Sequence, residues 1–293
     1  MTDSAARIQQ LSETYLATIG DNLQAIDGIL QDLGIGEAVP LSQFQEALQM
    51  SAGHLVRYWQ MGRKVLRTRI AQEMIPGYPA SVLNLSLMLD ATINVLDDLL
   101  DELLTKEEKG IYILEMARIL AIYNQLDIPA PLRERIAAYF NKCICIVLPE
   151  IVYKERLKAT RDFDRRLVYA EQCYDSKSLD MDIFVELPLL EMFGPDVPIQ
   201  GVVSLARVHR AVSLLHKDLA DLEHDRTNHT ETPLVILAEE GEEQLRRYLQ
   251  ELLARYRRRS EQDHRGDGNF APFTRRIQAM IREEIANLTQ AQL

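Results

Sequence analysis

Cysteine is scarce: Cys143, Cys145 and Cys173 are the only ones in 293 residues. Their number is odd, two are separated by a single residue and no CxxC pair occurs. This argues against a disulfide framework or a thiolate metal site and leaves three reduced core thiols. Glycine (13) and proline (11) are also few, and neither a low-complexity linker nor a fixed-period repeat interrupts the chain. Residues 1–293 are therefore read as a single domain with ample core. No uncharged stretch is long enough to span a bilayer, and the N-terminal Met-Thr-Asp-Ser-Ala-Ala-Arg-Ile-Gln-Gln lacks the basic start and apolar centre of a signal peptide. The chain is expected to be cytoplasmic and not an integral membrane protein. Basic residues are in deficit too: 33 Lys and Arg stand against 44 Asp and Glu, a formal net charge of −11. That argues against nucleic acid or an anionic membrane surface as a general partner. Runs of alternating β-branched residues are missing, whereas segments of helical periodicity dominate, so the fold class is all-α.

Helical spacing covers about Ala5–Leu33, Ser42–Met50, Leu55–Met74, a long apolar segment from Ser81, then Ile111–Gln125, Pro131–Lys158, Asp162–Phe193, Val202–Asp225 and Phe273–Asn287. The segment Asp162–Phe193 is expected to break near Asp175–Ser178. Turn signals stand at Gly34-Ile-Gly36, Pro76-Gly77-Tyr78-Pro79, Thr105-Lys-Glu-Glu-Lys-Gly110 and Gly194-Pro195, and Asp263–Pro272 is expected to be a mobile loop.

The helix beginning at Ser81 carries acid on an apolar body. Asp90, Asn94, Asp97 and Asp101 are spaced four, three and four apart, with Asp98 beside them, which sets them along one line of a helix. Their flanks are Leu, Ile, Val and Met, and no Lys or Arg is interleaved to relieve the repulsion. Ionised carboxylates facing a common space are costly unless a cation neutralises them. A hard divalent ion such as Mg²⁺ suits such oxygen ligands, which it shares with waters and substrate phosphates.

A second segment repeats this logic. Lys217, Asp221 and Asp225 recur at intervals of four, with Asp218 adjacent and Arg210 two turns earlier. If the two helices face each other they enclose a space with carboxylates at its mouth and apolar walls below, suited to a charged head on a hydrocarbon tail.

Asp97-Asp98-Leu-Leu-Asp101 resembles the first aspartate-rich motif, DDxxD, of the class I isoprenoid synthases, which include trans-prenyl diphosphate synthases (polyprenyl synthetases) and class I terpene cyclases. Upstream, Gly62-Arg63-Lys64-Val65-Leu66-Arg67 is similar to the GGKxxR element that grips diphosphate, with Arg63 in place of the second Gly. Downstream, Lys177-Ser178 resembles the Lys-Thr pair that contacts the allylic diphosphate, and Lys217-Asp218-Leu-Ala-Asp221 resembles the second DDxxD with Lys in its first position. The resemblance covers about residues 55–240. It implies a helical bundle around a central apolar cavity, usually a homodimer. It also implies Mg²⁺ held by Asp97, Asp98, Asp101, Asp218, Asp221 and Asp225, with Lys64, Arg67, Lys177 and Lys217 on the diphosphate. Asp97, Asp101 and Lys177 would then serve ionisation of an allylic prenyl diphosphate, and the resulting cation would condense with isopentenyl diphosphate.

Several positions depart from that pattern. The Arg pair that usually follows the first motif is replaced by Glu102-Leu-Leu-Thr-Lys-Glu-Glu-Lys109, and Asp90 stands where synthases commonly have His. An ammonium at Lys217 would repel the ion that a ligand there normally binds, unless Lys217 itself replaces one Mg²⁺ and contacts diphosphate. The missing Arg pair leaves two alternatives to the synthase reading: a terpene cyclase of the same fold, and a catalytically weakened regulatory or prenyl-binding homologue. Arg255-Tyr256 resembles the Arg-Tyr pair of cyclases but follows the second motif too closely to be used. Thr92 and Ile93, one turn before Asp97, are not the bulky aromatics of short-product synthases, so chains longer than farnesyl are expected to fit.

Overall fold

A computed structural model describes residues 66–100, 128, 130–262 and 268–291. The helices expected before residue 66 and over Ile111–Gln125 lie outside these, as do residues 263–267 of the loop expected at Asp263–Pro272, whose second half is instead a 3₁₀ turn (Gly268–Phe270) and the start of a helix at Ala271. Among the described residues every regular element is helical and there is no strand, so the all-α class holds there. No described helix is long and apolar enough to cross a membrane. The chain divides into two compact units, Met1–Arg69 with Leu83–Ile128 and Ile70–Val82 with Pro129–Leu293.

Helices α1 (Leu66–Met74) and α2 (Ala80–Leu100) each have residues in both units, residues 66–69 and 83–100 in the first and 70–82 in the second. The turn between them falls on Pro76–Pro79 as expected, and Gly77 takes φ 79°, a backbone conformation that side-chain-bearing residues disfavour. Along α2, Leu85, Ser86, Leu89, Asp90 and Thr92 are buried. Among the buried side chains of α2, that of Asp90 is the charged one to explain.

The second unit continues with α3 (Ala130–Ala159), α4 (Phe163–Ser178), a 3₁₀ turn at Leu179–Met181, α5 (Asp182–Phe193) and α6 (Gln200–Ala220). It closes with α7 (Leu222–Thr227), α8 (Pro233–Ala238), α9 (Glu242–Glu261) and α10 (Ala271–Ala291). Asp162 caps α4 by accepting from the Arg165 amide at 2.8 Å, a contact worth ~1 kcal/mol. Asp164 in its first turn and Lys177 in its last complement the helix dipole. Its break comes at Leu179–Met181, directly after the expected Asp175–Ser178. Helix α5 is apolar on all sides and buried accordingly, with Ile183, Phe184, Val185, Leu187 and Leu189 inside. It ends where Gly194 turns at φ 92° and donates its amide to the Leu190 carbonyl at 2.8 Å.

Helix α6 is the spine of this unit, packing against α4, α5, α9 and α10. Val202, Leu205, Ala206, Ala211, Val212 and Leu215 are buried along it, each large side chain contributing about 1.5–3 kcal/mol by leaving water. Two helices had no counterpart in the reading of the sequence. Helix α8 is opened by Thr232, which accepts from the Val235 amide at 3.2 Å, with Pro233 in the first position. Helix α9 follows Gly241 at φ 98° and carries Glu242 and Glu243 at its start and Arg258 and Arg259 at its end.

Candidate functional site

The C-terminal end of α6 was expected to run as one helix to Asp225. Instead α6 stops at Ala220, Asp221 takes φ −94° and ψ 0°, and α7 begins at Leu222. The backbone ladder nevertheless continues across the break. The Asp221 amide donates to the Lys217 carbonyl at 2.9 Å and the Asp225 amide to the Asp221 carbonyl at 2.8 Å, so the interval of four survives as a run of linked turns. Lys217 is exposed, Asp221 and Asp225 are half-buried, and Asp218 is buried at 8% exposure.

Asp218 is the chemically distinctive member. The hydroxyl of Tyr174, a fully buried residue of α4, donates to its Oδ2 at 2.9 Å. Burial pushes the Asp218 carboxyl above the ordinary carboxylate range, while the charge of Lys177, the Tyr174 hydrogen bond and Lys217 oppose that shift and Asp225 adds to it. The packing of α4 on α6 therefore brings Lys177 within electrostatic reach of Asp218. These two residues are 41 positions apart in sequence, and the family resemblance implies one site for both.

Lys177 is already engaged. Its ammonium lies 3.0 Å from Oε1 of Glu150 on α3, and Lys154 reaches the same oxygen at 2.6 Å. Burial raises the Glu150 carboxyl, but the charges of Lys177 and Lys154 outweigh that and hold it below its ordinary value. The neighbouring Ser178 is buried and donates its hydroxyl to the Asp175 carbonyl at 2.7 Å, a back-bond within its own helix.

Beyond Ser178 the break in the helix carries two buried acids that sequence reasoning passed over. Arg210 grips Asp180 through Nε at 3.1 Å and Nη2 at 2.9 Å, and Arg207 grips Asp182 through Nε and Nη2, both at 2.6 Å, with Lys142 also on Asp182. Such forked contacts fix the 3₁₀ turn to α6. On the other side of α4, Arg259 binds Asp175 at 2.8 Å and Glu171 at 3.2 Å, and Arg255 binds Glu171 at 3.0 Å. Arg255 and Tyr256 thus serve as a clasp between α9 and α4, the Tyr256 hydroxyl donating to the Glu171 carbonyl at 3.4 Å.

In the first unit, Arg67 is buried at 7% exposure, and its Nη1 donates to Asp90 Oδ1 at 3.1 Å and to Asn94 Oδ1 at 2.9 Å. Asp90 Oδ2 accepts from the Thr68 amide at 2.8 Å. Burial still raises the Asp90 carboxyl, against the pull of Arg67 and Thr68. The upper half of the acidic stripe is therefore used to seat α1 on α2. Lys64 and Asp101 lie outside the described residues, and so do the side chains of Asp97 and Asp98, whose backbone forms the last turn of α2. The side chains of Cys143 and Cys145 fall outside as well. Cys173 is a free, buried thiol, pushed up to about 12 by burial and by Glu150.

A depression of about 380 Å³ lies where α6 meets α9, lined by Leu219, Leu245 and Leu249 with His216, Glu242 and Arg246. His216 and Leu219 project from the face of α6 opposite Asp218, so this is not the space expected beside the second motif. Its His216 Nδ1 is 2.6 Å from Oε1 of Glu284 on α10.

Among the described residues no cluster of three or more His, Cys, Asp or Glu side chains is placed to hold a metal. The donors at the end of α6, Asp218, Asp221 and Asp225, are carboxylate oxygens, the type a hard ion such as Mg²⁺ takes. No family model, no curated protein and no solved structure matches the chain.

Proposed function

We propose that the chain is a Mg²⁺-dependent prenyltransferase of the trans-prenyl diphosphate synthase type, built as an isoprenoid synthase bundle around a central apolar cavity and working in the cytoplasm as a homodimer. Its substrates on this reading are an allylic prenyl diphosphate and isopentenyl diphosphate. The observation that carries the reading is that α4, packed on α6, sets the Lys177 ammonium within electrostatic reach of Asp218, a cation and a carboxylate that a Mg²⁺-bound diphosphate would use together.

Bound by carboxylates of both motifs, Mg²⁺ would neutralise the departing diphosphate. Asp218, Asp221 and Asp225 would supply that ligation from α6 and α7, with Asp97, Asp98 and Asp101 on the other motif. Lys177 and Lys217, with Lys64 and Arg67, would hold the phosphate oxygens by charge-assisted hydrogen bonds. Lys177 would have to exchange Glu150 for the phosphate. Arg67 would act with one nitrogen fixed on Asp90 and Asn94, which orients the guanidinium.

Incubation of the full chain with geranyl, farnesyl and geranylgeranyl diphosphates, each with Mg²⁺ and with or without isopentenyl diphosphate, tests this. Longer diphosphates formed only with isopentenyl diphosphate are expected. Hydrocarbons or alcohols formed without it would make the chain a terpene cyclase, and binding without turnover would make it a regulatory or prenyl-binding homologue.

A further inference from the structure

We propose that Tyr174 is the positioning residue of the second acidic motif, fixing which oxygen of Asp218 is presented to the ligand. The inference rests on the Mg²⁺-diphosphate reading and adds to it a residue that no motif marks. Tyr174 is fully buried, its hydroxyl donates to Oδ2 of Asp218 at 2.9 Å, and among the described residues it is the only hydrogen-bond donor to that carboxylate. An aspartate's terminal torsion is broad and nearly two-fold, so an unanchored carboxylate swivels between equivalent settings. A ring with two torsions, locked by packing, removes that freedom. With Oδ2 occupied, Oδ1 is the oxygen left for a cation.

The placement of Tyr174 makes the same point from the side of α4. It stands three residues before Lys177 on one helix, so phenol and ammonium share a face. A single rigid helix therefore sets both the direction of the carboxylate and the position of the cation. Tyr256 is a natural comparison: it is fully buried nearby, but its hydroxyl goes to the Glu171 carbonyl at 3.4 Å and not to an acid of the motif. Both rings fill the core; Tyr256 also bonds the Asp175 side chain, and only Tyr174 aims a carboxylate of the motif.

Titration calorimetry of the full chain with inorganic diphosphate, in the presence and absence of Mg²⁺, reads this without turnover. Tyr174→Phe is expected to weaken Mg²⁺-dependent binding about tenfold, while Tyr256→Phe leaves it within about twofold. Combined with Asp218→Ala, which removes the acceptor, Tyr174→Phe is expected to add nothing, because both changes remove one interaction. Should Tyr174→Phe fail to fold, 4-aminophenylalanine at the same position keeps ring and donor, and binding within about threefold of wild type is expected. Wild-type affinity in Tyr174→Phe, or a loss in the double variant equal to the product of the single losses, would overturn the role of Tyr174 alone. Absence of Mg²⁺-dependent binding in the unaltered chain would overturn the functional reading and this inference with it.

Discussion

The ammonium of Lys177 stands 3.0 Å from Oε1 of Glu150, an oxygen it shares with Lys154 at 2.6 Å. A cation that the proposed function assigns to diphosphate is therefore paired with an acid of the chain itself. On that proposal a phosphate would have to compete with Glu150 for it. Glu150→Gln is expected to tighten binding of inorganic diphosphate by on the order of 1 kcal/mol, about fivefold, the scale of a part-buried ion pair. Unchanged affinity in calorimetry would place Lys177 outside the anion site.

Asp218 should be costly to the fold. Its carboxyl is raised by burial against the opposing pull of Lys177, Tyr174 and Lys217. A carboxyl raised in the folded chain keeps its proton to higher pH than in the unfolded chain. Stability then falls as pH rises from the ordinary value of 3.8 through the raised one. At neutral pH the ionised group destabilises, so Asp218→Asn, which retains an acceptor for Tyr174, is expected to raise the melting midpoint and flatten that fall. A lower midpoint than wild type at neutral pH, by scanning calorimetry, would contradict this.

The buried pair of Arg67 and Asp90 is expected to behave in the opposite way when one partner is removed. Asp90→Ala leaves the Thr68 amide without this acceptor and takes the Asp90 carboxylate from the buried Arg67 guanidinium, a loss of about 3 kcal/mol. Chemical denaturation measures it, and a loss below about 1 kcal/mol, typical of an exposed pair, would show that α1 is not seated through this contact.

How much of this was legible depends on what spacing alone encodes. The Pro76–Pro79 turn, the Gly194 stop and the break just after Lys177-Ser178 could be read because turn residues and proline act locally. The spacing of Asp90 and Asn94 could not reveal their role, since a line of acids looks the same whether it faces a metal or an arginine from the preceding helix. Nor could intervals of four betray the change of helix at Asp221, because the backbone ladder runs through it. Helix α9 was missed because its apolar residues, Leu245, Tyr248, Leu249, Leu252 and Tyr256, are spread among Glu and Arg, although they recur at helical spacing. Tyr174 carried one signal, its place one turn before Lys177, which acquires meaning only once α6 is seen to lie against that face.

Arg166 tests whether the second unit depends on buried charge. Its side chain is wholly enclosed, donating to the Thr160 carbonyl at 3.1 Å and the Ile236 carbonyl at 3.0 Å, with Glu240 at 3.2 Å. It thereby ties α4 to α8 and to the turn before α4. Arg166→Ala takes the donor from two carbonyls and, among the described residues, leaves Glu240 with only Arg161 at 3.7 Å and the Tyr248 hydroxyl at 3.1 Å, and a loss of about 3 kcal/mol is expected by denaturant unfolding. A change within about 0.5 kcal/mol, as at an ordinary surface site, would contradict this.

The most direct test of the central claim is release of inorganic diphosphate from geranylgeranyl diphosphate and its shorter homologues by the full chain with Mg²⁺. Release that requires Mg²⁺ and is abolished in Asp97→Ala and Asp101→Ala is expected. Release that persists in both variants, or none from any homologue with isopentenyl diphosphate present, would contradict the account.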